Sequence, residues 1–368
     1  MPTHEFAIPT GRLLTSSHKN HPNQEDLAHK LALNFNKTSS GQNSNTRKIV
    51  KTKVTSSSNQ RKKAKKRQGK SKGPLKLLAL FLLLILVLFT GKELFPNSFA
   101  KNELIEDDFV SPYIYVLNRT DHSVEFTKNS DTKIYPASLV KIMTTLVALE
   151  QIDDLSEVAP VDVPTYQDMV SRNASMAGFF GREPVTYRDL LYGTILSSGG
   201  EAANSLAVNV SGDVASFVEL MNAKAKQLDL KSTHFTSPEG LHHKEQYTTA
   251  HDMAVLLDHA LNNGHFRAIF TKKEFQTSST LDHPKGLHLR STVLSRLKNE
   301  TFTNFEILGG KSGTTQEAGQ CWATMGTKNG KEYVVVVMGA PLNNLKNPSR
   351  AQIQDTLQLF EQIKNPRN

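Results

Sequence analysis

Apolar and polar positions divide the 368-residue chain into stretches of different rhythm. Residues 1–74 show few apolar positions and no period; Asn, Ser, Thr, Gln and Lys dominate. Such a segment cannot bury enough apolar surface to offset its chain entropy, so it is expected to be disordered. Leu75–Gly91 then reads LKLLALFLLLILVLFTG, with thirteen uninterrupted apolar residues from Leu77 to Phe89 and no polar face. This predicts a short transmembrane helix, since a span takes roughly 17–25 residues. Residues 92–108 read as a linker, and residues 109–368 carry the mixed periodicity of a globular domain.

Within that domain, Tyr113–Leu117 and His122–Thr127 predict two strands around an NRTD turn. Helical periodicity follows at Ser138–Leu149, Thr186–Leu196, Glu201–Val210, Val214–Leu228 and Ala250–Leu261. Thr186 with Asp189, and Thr249 with Asp252, have the spacing of a capping box. The period then shortens. Gln320–Thr327 and Glu332–Ala340 predict two strands, and Asn329-Gly330 between them suits a type I′ hairpin turn. A last helix is predicted over Arg350–Ile363. Strands at both ends of a helical middle imply an α/β chain of the α+β type. Its antiparallel sheet would draw its edges from both chain ends and be covered by helices, with a helical insert.

Charge changes the picture at one place. Residues 1–74 hold 16 Lys/Arg against 3 Asp/Glu, so the formal +9 of the chain becomes −4 beyond them. Eight of the twelve residues Arg61–Lys72 are basic, directly before the apolar run. That bias places the tail in the cytoplasm and the C-terminal bulk outside, as an uncleaved signal anchor whose basic block meets anionic lipid headgroups. A signal peptide cleaved after Ala100 is the alternative reading. A separate nucleic-acid module is disfavoured, because the basic density peaks at the membrane border. Cys321 is the only cysteine, so no internal disulfide is expected.

Three short motifs carry candidate chemistry: SLVK (Ser138–Lys141), SSG (Ser197–Gly199) and KSGTT (Lys311–Thr315). Residues i and i+3 of a helix share a face, so Ser138, capping its helix, can bring its hydroxyl beside the Lys141 amine. A serine is a poor nucleophile until something takes its proton, and a lysine can do so only when burial or a second cation keeps it neutral. Ser198 could relay protons, Lys311 could be the second cation and Ser312 could hold a carboxylate. Each string alone is more often a cap, a turn or a solvated lysine. The discriminating feature is their order and setting: a helix head, a helix–helix joint and the approach to a strand hairpin.

With these motifs the chain resembles the serine D-alanyl-D-alanine carboxypeptidases, the low-molecular-mass penicillin-binding proteins of the β-lactamase-like superfamily. PASLVKIMTTLVALE is similar to the nucleophile helix of that family, GGKSGTTQEAGQCWAT to its third-motif strand, and Leu230–Leu257 to a family-typical segment. The resemblance implies Ser138 as acylated nucleophile, Lys141 as general base and Ser198 as proton relay. Lys311, Ser312 and Thr314 would bind substrate, with the backbone N–H groups of Ser138 and Thr314 as oxyanion hole. It implies removal of the terminal D-alanine from peptidoglycan pentapeptide stems, inhibition by β-lactams, and no metal or other cofactor.

Two departures from the family pattern stand out. Ser312 replaces a threonine and keeps the hydroxyl. Gly200 stands where a middle-motif asparagine is usual, and Asn204, one helical turn on, is expected to point elsewhere. The second β-rich domain usual in the family is not expected either, since only 27 residues follow Pro341. Anchoring falls to the N-terminal span, because the polar face of the last helix carries Gln, Asp and Glu. Three competing readings remain. A β-lactamase would need a Glu-x-x-x-Asn deacylation loop; the similar string EAAN at Glu201 directly follows the middle motif and lies in the wrong place for one. A zinc peptidase would need a ligand cluster, and the 13 histidines form no His-Glu-x-x-His. A wall-binding scaffold would have lost turnover through Gly200.

Overall fold

The computed structural model of the chain describes residues 104–343 and 348–363. The predicted tail, the span at 75–91 and residues 92–103 of the linker therefore lie outside the described residues. Among the described residues no helix is long and apolar enough to cross a membrane.

The N-terminal hairpin is β1 (Tyr113–Asn118) and β2 (Val124–Lys128). A 3-10 turn over Ala137–Val140 leads into α1 (Lys141–Gln151). Next come α2 (Val163–Ser171), capped by Asp162, and α3 (Tyr187–Ile195). Then follow α4 (Gly200–Ser211), α5 (Val214–Gln227), α6 (Ala250–Ala260) and α7 (Gly264–Phe270). A two-stranded sheet of β3 (Glu274–Gln276) and β4 (His288–Arg290) precedes the long strands. These are β5 (Phe305–Thr315), β6 (Gly319–Lys328) and β7 (Lys331–Ala340), and α8 (Ala351–Gln362) closes the domain.

The main sheet is antiparallel in the order β2-β1-β7-β6-β5. One edge comes from the N-terminal hairpin and the other is β5; the C-terminal hairpin lies in the middle. Asn329 and Gly330 both adopt positive φ (53° and 74°), the conformation of the type I′ turn, and Lys328 pairs with Lys331 across it. Both faces of the sheet are covered, which explains the unbroken apolar run of β7. Val334, Val336 and Met338 join Tyr115 and Leu117 against the helical layer, packing with residues such as Ile142, Leu146 and Leu257. Tyr333, Val335 and Val337 join Ile114, Val116 and Trp322 on the other face, under Ile353, Leu359 and Phe360 of α8.

Of the two predicted capping boxes, Thr186–Asp189 is complete: each side chain bonds the other's backbone N–H. At α6 only half of it forms. The Thr249 hydroxyl accepts from Asp252 N, but the Asp252 carboxylate turns instead to Ser232 N and the Thr233 hydroxyl. The helix expected from Ser138 begins as an α-helix only at Lys141. Ser138 is therefore not its cap: it lies inside the 3-10 turn, where no side chain caps the turn's start. Two helices and the small sheet carried no clear pattern. Among the nine residues of α2 only Met169 is buried, which leaves no apolar stripe to recognise.

Candidate active site

The Ser138 turn is held in a strained and crowded backbone. Ala137 adopts φ +48°, an uncommon conformation for a residue with a Cβ. Gly240, at φ +83°, packs so close that a Cβ there would overlap the carbonyl of Ala137. From the other side β5 presses in at Gly313, where a Cβ would lie 3.0 Å from Ser138 N and 3.1 Å from Pro136 O. Two glycines thus let a loop and a strand sandwich the turn.

In a 3-10 turn residues i and i+3 eclipse one another. This brings Lys141 Nζ to 3.2 Å from Ser138 Oγ. The amine also donates to Glu239 O at 2.5 Å, and one helical turn on the Thr144 hydroxyl donates to Pro238 O at 2.7 Å, fixing the same loop to α1. Lys141 is 2% exposed. Burial lowers its pKa to about 8, against the opposing pull of Glu239 and Glu201.

Ser198 stands at the joint between α3 and α4 with φ +61°, a second strained residue beside the first. Its turn is tied down by Gly199 N donating to Gly193 O (3.0 Å) and Gly200 N to Ser175 O (2.7 Å). The Ser198 hydroxyl accepts from Lys311 Nζ at 2.8 Å. Lys311 is fully buried in the edge strand β5 and also donates to Ser312 O at 2.7 Å. Burial first, and the charge of Lys141 second, hold its ammonium well below the usual lysine range.

Ser312 Oγ is 2.8 Å from Thr292 Oγ1, and Thr292 N donates to Leu196 O, so this contact spans from β5 to the end of α3. Thr314 is exposed on β5, opposite Gln320 of β6. Ser138, Lys141, Ser198, Lys311 and Ser312 thus converge where a helix head, a helix joint and a sheet edge meet. The third motif is part of strand β5 itself rather than the lead into the following hairpin.

At Gly200 the structure places something the sequence did not suggest. A Cβ there would lie 2.8 Å from the sulfur of Met169, so a thioether from α2 fills the space a larger side chain would need. The amide oxygen of Asn204 is buried without a hydrogen-bond partner among the described residues. Glu201, Glu239 and Thr292 also belong to this neighbourhood; the sequence touched Glu201 only through the string EAAN and Glu239 only as part of the segment Leu230–Leu257, and gave no signal at Thr292. Of the histidines, His242 packs edge-on against Tyr135, with ring centroids 4.6 Å apart. Among the described residues no three His, Cys, Asp or Glu side chains gather as a metal-ligand set.

The family described as D-alanyl-D-alanine carboxypeptidase matches residues 110–342. The D-alanyl-D-alanine carboxypeptidase DacF of Bacillus subtilis is 29% identical over 269 residues, covering 71% of this chain and 66% of DacF. DacC of Escherichia coli is 30% identical over 279 residues, covering 73% of this chain and 66% of DacC. The chain thus spans just under two thirds of the length of these two relatives. Among solved structures, the Streptomyces K15 DD-transpeptidase superposes with a TM-score of 0.60 at 26% identity, covering 69% of this chain and 97% of its own. A D-alanyl-D-alanine carboxypeptidase from Mycobacterium tuberculosis gives 0.60 at 27% identity, covering 70% and 92%.

Proposed function

Since the chain belongs to the D-alanyl-D-alanine carboxypeptidase family, we propose that it removes the terminal D-alanine from peptidoglycan pentapeptide stems through an acyl-enzyme on Ser138. The observation that carries this is a single pair: a buried amine, Lys141 Nζ, 3.2 Å from a serine hydroxyl. With a pKa of about 8, a useful fraction of that amine is neutral near physiological pH.

The chemistry then runs as follows. Ser138 Oγ attacks the carbonyl of the penultimate D-alanine as Lys141 takes the hydroxyl proton. The developing oxyanion is stabilised by the backbone N–H groups of Ser138 and Thr314. The C–N bond breaks as the proton passes through the Ser198 hydroxyl to the leaving amine of the terminal D-alanine. Water, deprotonated by Lys141, then attacks the ester, frees the shortened stem and returns the proton to Ser138. Lys311 and Ser312 hold the carboxylate of the departing residue. β-Lactams acylate the same serine. The basic tail and the apolar run at 75–91 support an anchored enzyme with a cytoplasmic N-terminus, headgroup contacts at the basic block and the catalytic domain on the wall side.

The test uses the full chain in detergent. A β-lactam adds the mass of one molecule, mapped to Ser138, and Lys141→Ala abolishes the adduct. D-Alanine appears from a muropeptide pentapeptide. No adduct on Ser138 would sink the assignment. That the Streptomyces K15 neighbour is a DD-transpeptidase supports a second resolution of the acyl-enzyme, by an amine in place of water. Including an amino acceptor in the assay separates the two, because transfer yields a new peptide bond and hydrolysis yields a free carboxylate.

A further inference from the structure

Glu201, the second residue of α4, lies three residues after Ser198 and is 0% exposed. Its two oxygens behave differently. Oε1 accepts from Ala177 N at 2.6 Å and from Gly178 N at 2.9 Å, fastening the loop before α3 to the head of α4. Oε2 is buried without a hydrogen-bond partner among the described residues. It lies 3.0 Å from where a Cβ on Gly199 would stand, so it rests against the turn that presents Ser198. The same loop and helix head are joined again by Gly200 N and Ser175 O.

We propose that Glu201 is the positioning residue of this site: one oxygen clamps the loop that supports the Ser198 turn, and the charge left on the other acts on Lys141. The proposal rests on Lys141 being the base. Buried polar atoms are nearly always paired, so an unpaired carboxylate oxygen calls for a reason. A glutamine would tie the loop through its amide oxygen equally well and avoid burying a charge. What the carboxylate adds is negative charge in a region of low dielectric: burial raises its own pKa, and the backbone N–H groups around it, those of Ala177 and Gly178 among them, pull the other way and favour the charged form.

The groups that face Lys141 make that charge consequential. They are the Ser138 hydroxyl in its own turn, the Glu239 carbonyl and carboxylate from the adjoining loop, Lys311 from β5 and Glu201 from α4. Burial works against the protonated amine, whereas Glu201 and Glu239 favour it. Position 200 contributes no polar side chain and its space is taken by Met169. Glu201 is thus the group through which the middle motif reaches the base, by its field rather than by an amide hydrogen bond.

The experiment measures the acylation rate of the full chain by a chromogenic β-lactam across pH 5–10, with melting temperature recorded alongside. Removing the negative charge leaves less to hold a proton on Lys141, so Glu201→Gln shifts the acid limb of the profile to lower pH, by about half to one unit. Glu201→Asp keeps the charge but retracts it from the 177–178 amides, so its limb stays at the wild-type pH while its plateau rate falls several-fold. A loop tie with no electrostatic role would lower plateau rates without moving any limb. A Glu201→Gln limb superimposed on wild type therefore overturns the proposal, as does a Glu201→Asp limb displaced as far as that of Gln. A wild-type chain that is never acylated at Ser138 instead overturns the reading of the site, and this proposal with it.

Discussion

The sulfur of Met169 lies 2.8 Å from the point where a Cβ on Gly200 would stand. The small residue at the head of α4 and the long one on α2 are therefore complementary in volume. Glycine-to-asparagine at 200 forces Met169 out of a buried, well-packed position, and overpacking of this kind costs about 1–3 kcal/mol. Gly200→Asn is expected to lower the melting temperature and to slow acylation, despite restoring the residue usual in the family. Pairing it with Met169→Ala relieves the overlap, so the double variant should be more stable than the sum of the two single changes. Thermal denaturation of the four proteins checks this; strictly additive losses would contradict a shared space.

Lys141 sets the expected pH dependence. In the proposed mechanism the acylating species carries a neutral amine, and a pKa of about 8 leaves about a tenth of it neutral at pH 7. The acylation rate should rise about tenfold per pH unit below the limb and level off above about pH 8. The sign for stability follows from the same shift. The unfolded chain holds its proton up to the ordinary lysine value of 10.5, the folded one only to about 8. The burial penalty is thus fully present below pH 8 and fades as pH rises through that window, so stability gains from this group on the alkaline side. Lys141→Arg, permanently charged, should give no acylation at any pH. A flat wild-type profile between pH 6 and 9 would remove Lys141 from the role of base.

Much of this architecture was legible from local rules. The capping box at Thr186 and the Asn329-Gly330 turn are short-range features with fixed residue requirements, and both form. The three motifs were also visible as strings, and the chain brings them together. What stayed hidden depends on long-range packing. Ser138 has the look of a helix cap, but Gly240 and Gly313 press the turn from loop and strand, residues 102 and 175 positions away, and it closes as a 3-10 turn. Met169 sits on a helix too short and too exposed to show a stripe, so nothing in its surroundings pointed to Gly200. Glu201 appeared only within a string judged to be in the wrong place for a deacylation loop; its burial is a tertiary fact.

Lys311 offers a case where function and stability should separate. Its ammonium is fully buried with two acceptors, Ser198 Oγ and Ser312 O, and is held well below its ordinary pKa by burial and by Lys141. An apolar side chain of similar length avoids the cost of burying a charge that these two neutral acceptors only partly offset. Lys311→Met is therefore expected to keep or raise the melting temperature. Under the proposed mechanism it should also slow acylation by about 100-fold or more, since the group that donates to Ser198 Oγ and would hold the substrate carboxylate is gone. Calorimetry and stopped-flow acylation on the same preparation check the pair of outcomes. A large loss of stability would show that the lysine is a structural strut instead.

Gly240 tests whether the Ser138 turn is as tightly bounded as its contacts indicate. Two separate costs fall on an alanine there. The residue sits at φ +83°, which a Cβ disfavours by about 1–3 kcal/mol, and the new methyl overlaps the backbone carbonyl of Ala137, which no side-chain rotation can relieve. The backbone must shift, and the nearest backbone is the turn that carries Ser138. Glu239, the neighbour of Gly240, also supplies the carbonyl that anchors Lys141 Nζ. Gly240→Ala should thus displace Ser138 and Lys141 together, lowering the melting temperature and cutting acylation far more than Gly212→Ala. That control also has positive φ, +88°, but open space around its Cβ, at the far end of α4. Equal losses of acylation in the two variants would mean that backbone strain alone is at work and that contact with the Ser138 turn contributes nothing.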